Sequence, residues 1–142
     1  MLRRIALGVL LCGIAALVGG CADETILPNA PTEIEFTDTF TGTLAPANGA
    51  THAFGTITGG KVTATLTAVG PDATKNVGFS LGTFNAALNI CTVVLDNPAA
   101  LQATAFTAVA STGGNYCVRV YDNGNVTTDA VPYTYTITVV HP

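Results

Sequence analysis

The chain has 142 residues, of which only 10% are charged, and its formal net charge is −4 at pH 7. The length fits one domain, and the acidic balance argues against a nucleic-acid partner because phosphates repel such a surface. Threonine occurs 23 times, beside 15 glycines and 7 prolines. Threonine favours strands while glycine and proline favour turns, so the composition predicts an all-β protein with many short strands.

The N-terminus has the parts of an export signal. Arg3 and Arg4 precede an apolar run over residues 5–18, which suits a signal-peptide core and is short for a membrane span. Two glycines then precede Cys21, and the string LVGGC resembles the lipobox of bacterial lipoproteins. The resemblance implies that Cys21 is lipidated and becomes the first residue of the mature chain. The alternatives are an ordinary secretory signal cut nearby and a retained membrane span.

Cleavage before Cys21 would define three segments. Residues 1–20 are the predicted signal peptide, residues 21–32 carry the lipid and form a tether, and residues 33–142 form the domain. The mature chain would keep three basic and nine acidic residues, a formal net charge of −6. It offers no basic patch for anionic lipid, so acyl chains must provide the attachment. We therefore expect an exported protein that is anchored by lipid to a membrane of the bacterial cell envelope.

From residue 33 onward, polar and apolar residues alternate in short segments that turn residues separate. No segment has the 3.6-residue period of a helix. Strands that are half polar and half apolar suit antiparallel sheets with one wet face, so two packed sheets are expected. The prediction is an antiparallel β-sandwich of about eight strands. These are residues 33–44, 51–57, 61–69, 77–84, 88–95, 101–109, 115–122 and 133–140.

Two of these segments carry more specific expectations. Residues 61–69 alternate most clearly, and we expect them to pair with residues 51–57 across the intervening glycine turn. Residues 88–95 are apolar on both faces, which favours a central position in a sheet. The predicted apolar face of 61–69 consists of Val62, Ala64, Leu66 and Ala68.

The strand at 115–122, NYCVRVYD, presents two different faces. One is the apolar set Tyr116, Val118 and Val120, and the other is Cys117, Arg119 and Tyr121. A lone arginine in a chain poor in charge should reach water. Cys117 shares its face and is therefore expected to point away from the core.

Two cysteines remain once Cys12 leaves with the signal and Cys21 takes lipid. Cys91 and Cys117 lie 26 positions apart, and pairing is the default in an oxidising compartment. Because Cys117 should face outward, we expect a disulfide between neighbouring strands of one sheet. The alternatives are two buried free thiols and a metal site, for which the chain offers only two histidines.

Three strings give the domain a resemblance to a known family. They begin at Phe40 (FTGTLAPANGATHAFGTITGGKVTATLTAV), at Asn115 (NYCVRVYD) and at Tyr133 (YTYTITVVHP), and they frame nearly all of residues 36–142. Together they resemble the bacterial pre-peptidase C-terminal domain. The resemblance implies a jelly-roll-like β-sandwich that serves as an accessory or binding module beside exported enzymes. Here the module would stand alone on its lipid tether.

The sequence supports no catalytic constellation, and the protein is predicted not to be an enzyme. Ser80 and Ser111 do not lie in a G-x-S-x-G motif, and His52 and His141 are expected to be structural or solvent-facing. Carboxylates for glycoside hydrolysis would have to come from loops, where aspartate usually serves turn geometry. The aspartates in question are Asp72, Asp96, Asp122 and Asp129.

No cofactor is predicted, and calcium is the alternative that one loop favours. The loop YDNGNVTTD offers hard oxygen donors, but it lacks the spacing of an EF-hand and its distant bidentate glutamate. The calcium candidates are Asp122, Asn123, Asn125 and Asp129.

Arg119 and Tyr121 are the candidate ligand surface, because an aromatic ring beside a cation on a sheet face suits sugar or peptide contacts. The alternative is a solvated face with a cation–π contact. We expect a non-catalytic binding or accessory module for an extracellular polysaccharide, an extracellular protein or an envelope protein. The alternatives are a purely structural envelope component and a small secreted hydrolase.

Overall fold

The computed structural model describes residues 33–127 and 131–142. The predictions for the signal peptide, the tether, Cys21 and Asp129 fall outside these ranges. In the described ranges, no helix is long and apolar enough to cross a membrane. The strands are β1 (Phe36–Leu44), β2 (Gly49–Thr56), β3 (Gly60–Gly70), β4 (Val77–Asn85), β5 (Ile90–Ala100), β6 (Ala105–Ala110), β7 (Gly114–Tyr121) and β8 (Tyr133–His141).

The eight strands form two four-stranded antiparallel sheets that pack face to face. The first sheet has the order β1-β8-β3-β6, and the second sheet has the order β2-β7-β4-β5. The chain changes sheet at every connection except the one between β4 and β5, which is the strand order of a jelly roll. The predicted all-β sandwich with jelly-roll topology is confirmed.

The core lies between the sheets and takes alternate residues from each strand. The inward-facing side chains of β3, β4, β7 and β8 are almost completely shielded from solvent. The largest fully buried apolar ones are Phe79, Leu66, Ile137, Val62, Val77, Val118, Val120 and Val139.

The predicted pairing of residues 51–57 with 61–69 is wrong. β2 pairs with β7 in the second sheet, whereas β3 lies between β8 and β6 in the first. The turn between β2 and β3 crosses from one sheet to the other. Both strands still turn their apolar rows toward the core, but they do so from opposite sheets.

One residue of the predicted apolar face of β3 is also displaced. The pairing of β3 with β8 shifts register between Leu66 and Ala68, as at a β-bulge. A bulge adds one residue to a strand and reverses the alternation beyond it. Consequently Ala68 is exposed and Val69 is buried.

The predicted central position of residues 88–95 is wrong as well. β5 is the edge strand of the second sheet, and Val94 is 68% exposed. The apolar residues on both faces of β5 are therefore not a sign that other strands flank it on both sides. The first half of β5 passes over Gly82 on the outer face of β4.

Candidate functional site

The outer face of the second sheet has a floor of small residues. On β7 this face carries Cys117, Arg119 and Tyr121, while Val118 and Val120 point into the core. Each of the three has small partners on both neighbouring strands. The partners on β2 are Ala53, Thr51 and Gly49, and those on β4 are Gly82, Ser80 and Gly78.

The Tyr121 ring lies directly over Gly78. A Cβ atom on Gly78 would stand 2.1 Å from the Cζ atom of that ring, so only glycine fits beneath it. The Tyr121 hydroxyl donates to the Asp96 carboxylate, with distances of 3.0 and 3.1 Å to its two oxygens. Ser80, which is buried, donates to the same carboxylate at 2.7 Å. Burial, and then the bond to Asp96, raises the pKa of Tyr121.

Arg119 lies beside this ring and is exposed. Its Cζ atom stands 5.0 Å from the centroid of the Tyr121 ring, which is a cation–π distance. Among the described residues, no aspartate or glutamate oxygen lies within 4.0 Å of the Arg119 guanidinium. The two candidate ligand residues therefore lie side by side. No described carboxylate forms an ion pair with the Arg119 guanidinium.

The Cys91 and Cys117 sulfurs lie 2.06 Å apart, the distance of a disulfide bond, and the Cα atoms are 5.9 Å apart. Both cysteines belong to the second sheet, and Cys117 lies on the face away from the core, as expected. The strands are not neighbours, however, because β4 lies between β5 and β7. The prediction of adjacent strands is therefore wrong.

Gly82 explains how the disulfide spans an intervening strand. Gly82 is the β4 residue opposite Cys117, and a Cβ atom there would stand 2.1 Å from the backbone oxygen of Thr92. The β4–β5 register shifts between Leu81 and Gly82. The first half of β5 thus passes over the bare backbone of Gly82 and reaches Cys117, which it buries completely.

Asp122 ties the loop after β7 to the turn between β1 and β2. Its Oδ1 atom accepts backbone N–H groups of Gly124, Asn125 and Val126 at 2.8, 2.9 and 3.0 Å. Its Oδ2 atom accepts the N–H of Ala47 at 2.8 Å. Burial acts to raise the pKa of Asp122, but these four N–H groups outweigh it and lower the pKa. Ala47, which donates one of these bonds, has a φ of 54°, a strained value for alanine.

The described calcium candidates are engaged in internal hydrogen bonds. Both oxygens of Asp122 accept N–H groups. Asn123 Nδ2 donates to the Pro98 carbonyl at 2.6 Å, and Asn125 Nδ2 donates to Asn123 Oδ1 at 2.7 Å. Within residues 33–127 and 131–142, no group of three or more His, Cys, Asp or Glu side chains is arranged to hold a metal ion. The described part of this loop therefore acts as a brace.

These features border an open polar groove of about 430 Å³ on the outer face of the second sheet. The turn before β2 forms one wall, and the disulfide flanks the groove. Hydroxyl, amide, guanidinium and carboxylate groups dominate its lining, which suits a hydrated ligand rich in hydroxyl groups, with Arg119 as the one cationic contact. The groove is lined by Ala47, Asn48, Gly49, Thr51, Cys91, Arg119, Tyr121 and Asp122.

The two histidines lie away from this groove. His52 Nε2 is 2.8 Å from the Tyr135 hydroxyl, its ring stacks on Phe40 at 4.8 Å, and burial lowers its pKa. His141 is buried, and its Nε2 atom lies 3.2 Å from Asp38. No hydrogen bond joins either histidine to a serine in the described part of the chain. Both side chains bridge strands at the sides of the core.

Sequence reasoning missed the floor and the walls of the groove. Asp96 and Ser80 orient Tyr121, and Asn48 and Thr51 line the groove, but none of these residues was predicted to take part. The available signal was the alternation Gly78-x-Ser80-x-Gly82, which leaves one face of β4 without bulky side chains.

No model of a known protein family matches the chain, and no curated protein matches it. The resemblance to the pre-peptidase C-terminal domain therefore stays a prediction, and function must be argued from the groove.

Proposed function

We propose that this protein is an envelope-anchored lipoprotein whose β-sandwich is a non-catalytic binding module for an extracellular polymer. One observation carries the proposal. An arginine without a described carboxylate partner lies in a groove whose walls are already fixed by internal bonds. Asp122 fixes the turn at Ala47 and Asn48, and Asp96 fixes the Tyr121 ring. A site that is ordered before binding loses less conformational entropy when a ligand arrives.

The composition of the groove favours a polysaccharide over a protein as the polymer. Protein interfaces centre on buried aromatic and aliphatic anchors that enter apolar pockets. The groove has few apolar groups, and Thr51, Asn48 and Arg119 supply it with hydrogen-bonding groups. Sugar hydroxyls can pair with such groups, and the edge of the Tyr121 ring can contact the apolar face of a sugar.

The test is a binding screen of the full chain, purified from cells that export it, against arrays of extracellular polysaccharides and matrix proteins. We expect a polysaccharide to bind, and Arg119→Ala and Tyr121→Ala to weaken binding by roughly tenfold or more each. Lys61→Ala is the matched control, because Lys61 is an exposed cation on the outer face of the first sheet. Binding that resists both groove substitutions would show that this groove is not the site. The absence of any bound polymer would leave a purely structural envelope component.

The lipid anchor is a separate part of the proposal and rests on the string LVGGC. Replacing Cys21 with serine removes the thiol that would take the lipid. Cys21→Ser should therefore move the protein from the membrane fraction to the soluble exported fraction and lower its mass by that of the acyl groups. A variant that stays in the membrane with only the mass change of the substitution would contradict the anchor without bearing on the groove.

A further inference from the structure

We propose that the group recognised by the groove is a carboxylate, and that the polymer is an acidic polysaccharide built from uronic acids. The inference rests on the proposed function and names the ligand class for the same groove. The Arg119 guanidinium would hold the uronate carboxylate, while the groups around it contact the hydroxyls of the sugar ring.

Arg119 differs from the other basic side chains in its position. The described chain contains three basic side chains, and the other two, Lys61 and Lys75, lie on β3 and in the loop before β4. Only Arg119 lines the groove. An arginine fork matches the two oxygens of a carboxylate and binds them through two parallel hydrogen bonds. The lining already contains the Asp122 carboxylate beside this guanidinium, so the groove suits a singly charged group better than a doubly charged phosphate.

The carboxylates near Arg119 are held by other donors. Asp96 accepts the hydroxyls of Ser80 and Tyr121, and Asp122 accepts four backbone N–H groups. Neither reaches within 4.0 Å of Arg119. The arginine therefore keeps its bidentate donors available, although it stands in a chain with an excess of acids.

The size and position of the groove also fit a sugar. A cavity of about 430 Å³ is far larger than one carboxylate and has room for a sugar ring. It lies on the outer face of β2 and β7, whereas a peptide that adds to the sheet as a strand would pair with the free edge of β2. The floor of glycine and serine lets a flat ligand approach the sheet closely beside Tyr121.

The experiment compares ligands that differ only in the carboxylate. Isothermal titration calorimetry of the full chain would use oligomers of galacturonate, glucuronate and mannuronate, the methyl esters of the same oligomers, and the neutral sugars of equal length. At least one uronate oligomer should bind roughly tenfold to hundredfold more tightly than its methyl ester, the range expected for losing hydrogen bonds to a charged group. This comparison needs no variant and so does not depend on how a substitution folds.

Variants then assign the preference to Arg119. Arg119→Gln should bind the acid and its ester equally, Arg119→Lys should keep part of the preference, and Lys61→Gln should keep all of it. A peptide C-terminus is another source of a carboxylate, and a short peptide with a free or an amidated C-terminus tests it. If the free peptide binds more tightly than every uronate oligomer, the proposal of a polysaccharide ligand is wrong.

Two outcomes separate this inference from the proposed function. Neutral or esterified oligomers could bind as tightly as the acids, with binding that still depends on Tyr121. In that case the groove does not recognise a carboxylate, but the proposal of a polysaccharide-binding module is retained. If no polysaccharide binds, acidic or neutral, both proposals fall. A preference for the acid that survives in Arg119→Gln would overturn the role of Arg119.

Discussion

The outer face of the first sheet is lined by threonines, whereas that of the second sheet combines glycines with Arg119, Tyr121 and a disulfide. On the first sheet, neighbouring threonines contact each other across strands, as Thr63 does with Thr107 at 3.5 Å. The threonines that cover most of this face have equal size and make an even, hydrated surface beside Lys61 and Val109. On the second sheet, large side chains lie over a bare backbone. A groove forms where large side chains stand beside glycines. The difference in side-chain size creates it, and polarity alone does not.

The two faces also differ in how their residues contribute to the stability of the fold. Each threonine pair across two strands adds a small amount to the free energy of unfolding, largely independently of the other pairs. The second face depends on a few specific positions, above all Gly82, the disulfide and Asp122. We therefore expect substitutions on the second face to be costly and those on the first to be mild, and the predictions below run from the largest effect to the smallest.

Gly82→Ala should have the largest effect. Its Cβ atom would overlap the Thr92 backbone oxygen, so the first half of β5 would have to move and the disulfide with it. The free energy of unfolding should fall by roughly 4 kcal/mol or more. Urea unfolding measures the change. Gly55→Ala is the matched control, because nothing stands closer than 4.0 Å to a Cβ there, and equal costs for the two variants would contradict the passage of β5 over Gly82.

Reduction of the disulfide should have the next largest effect. The bond closes a loop of 26 residues, and its loss should lower the free energy of unfolding by about 2–4 kcal/mol. The domain should stay folded, because neither cysteine belongs to the apolar core cluster. Thermal melts with and without reductant test this. An unchanged melting temperature, or two free thiols in a non-reduced digest, would show that the bond is absent.

Asp122→Ala should cost about 1–2 kcal/mol, since it leaves four backbone N–H groups without their acceptor at the surface. Thr65→Ala on the first sheet should cost less than half as much. Urea unfolding of both variants at neutral pH gives the comparison. Equal losses would mean that Asp122 does not brace the two loops.

The same carboxylate should make stability depend on pH in a defined window. The pKa of Asp122 is lowered in the folded protein, so its contribution is complete above the unfolded pKa of about 3.9 and disappears as the pH falls through the folded value. The stability difference between wild type and Asp122→Asn should therefore shrink below about pH 4. A difference that stays constant down to the folded pKa would contradict the shift.

Local alternation was enough to predict the elements but not their partners. The existence of eight strands, the outward Cys117 and the inward Val118 and Val120 follow from side chains alternating between two faces. The end of β5 and the start of β6 do not, because β5 continues to Ala100 and β6 begins only at Ala105. Nothing local reveals that β2 and β3 lie in different sheets, because a short glycine turn serves both a hairpin and a crossing. The bulge before Ala68 was also invisible, since it changes the alternation without breaking the strand.

The groove could be predicted only in part for a related reason. Arg119 and Tyr121 share a face by simple parity, and sequence reasoning found them. The floor comes from β4, whose position beside β7 is a matter of topology. The Ala47 wall comes from a turn 75 residues away from Asp122, and two hydrogen bonds join the turn to that residue. Such distant partners have no signature in a single sequence.

Arg119→Gln should have the smallest effect on folding, within about 0.5 kcal/mol, because its side chain is exposed. The same substitution should have a large effect on binding. This separation of stability from binding distinguishes Arg119 from Gly82 and Asp122, whose replacement should lower both. A variant with much reduced stability would mean that Arg119 mainly supports the sheet.

The most direct test of the binding module is a map of backbone amide chemical shifts as the tightest-binding oligosaccharide of the screen is added. The account predicts shifts at Thr51, Arg119 and Tyr121, with the threonines of the first sheet unchanged, and predicts that Arg119→Gln suppresses them while Lys61→Gln does not. Shifts confined to the threonine face, or spread equally over both faces, would contradict the claim that the groove on the second sheet is the binding site.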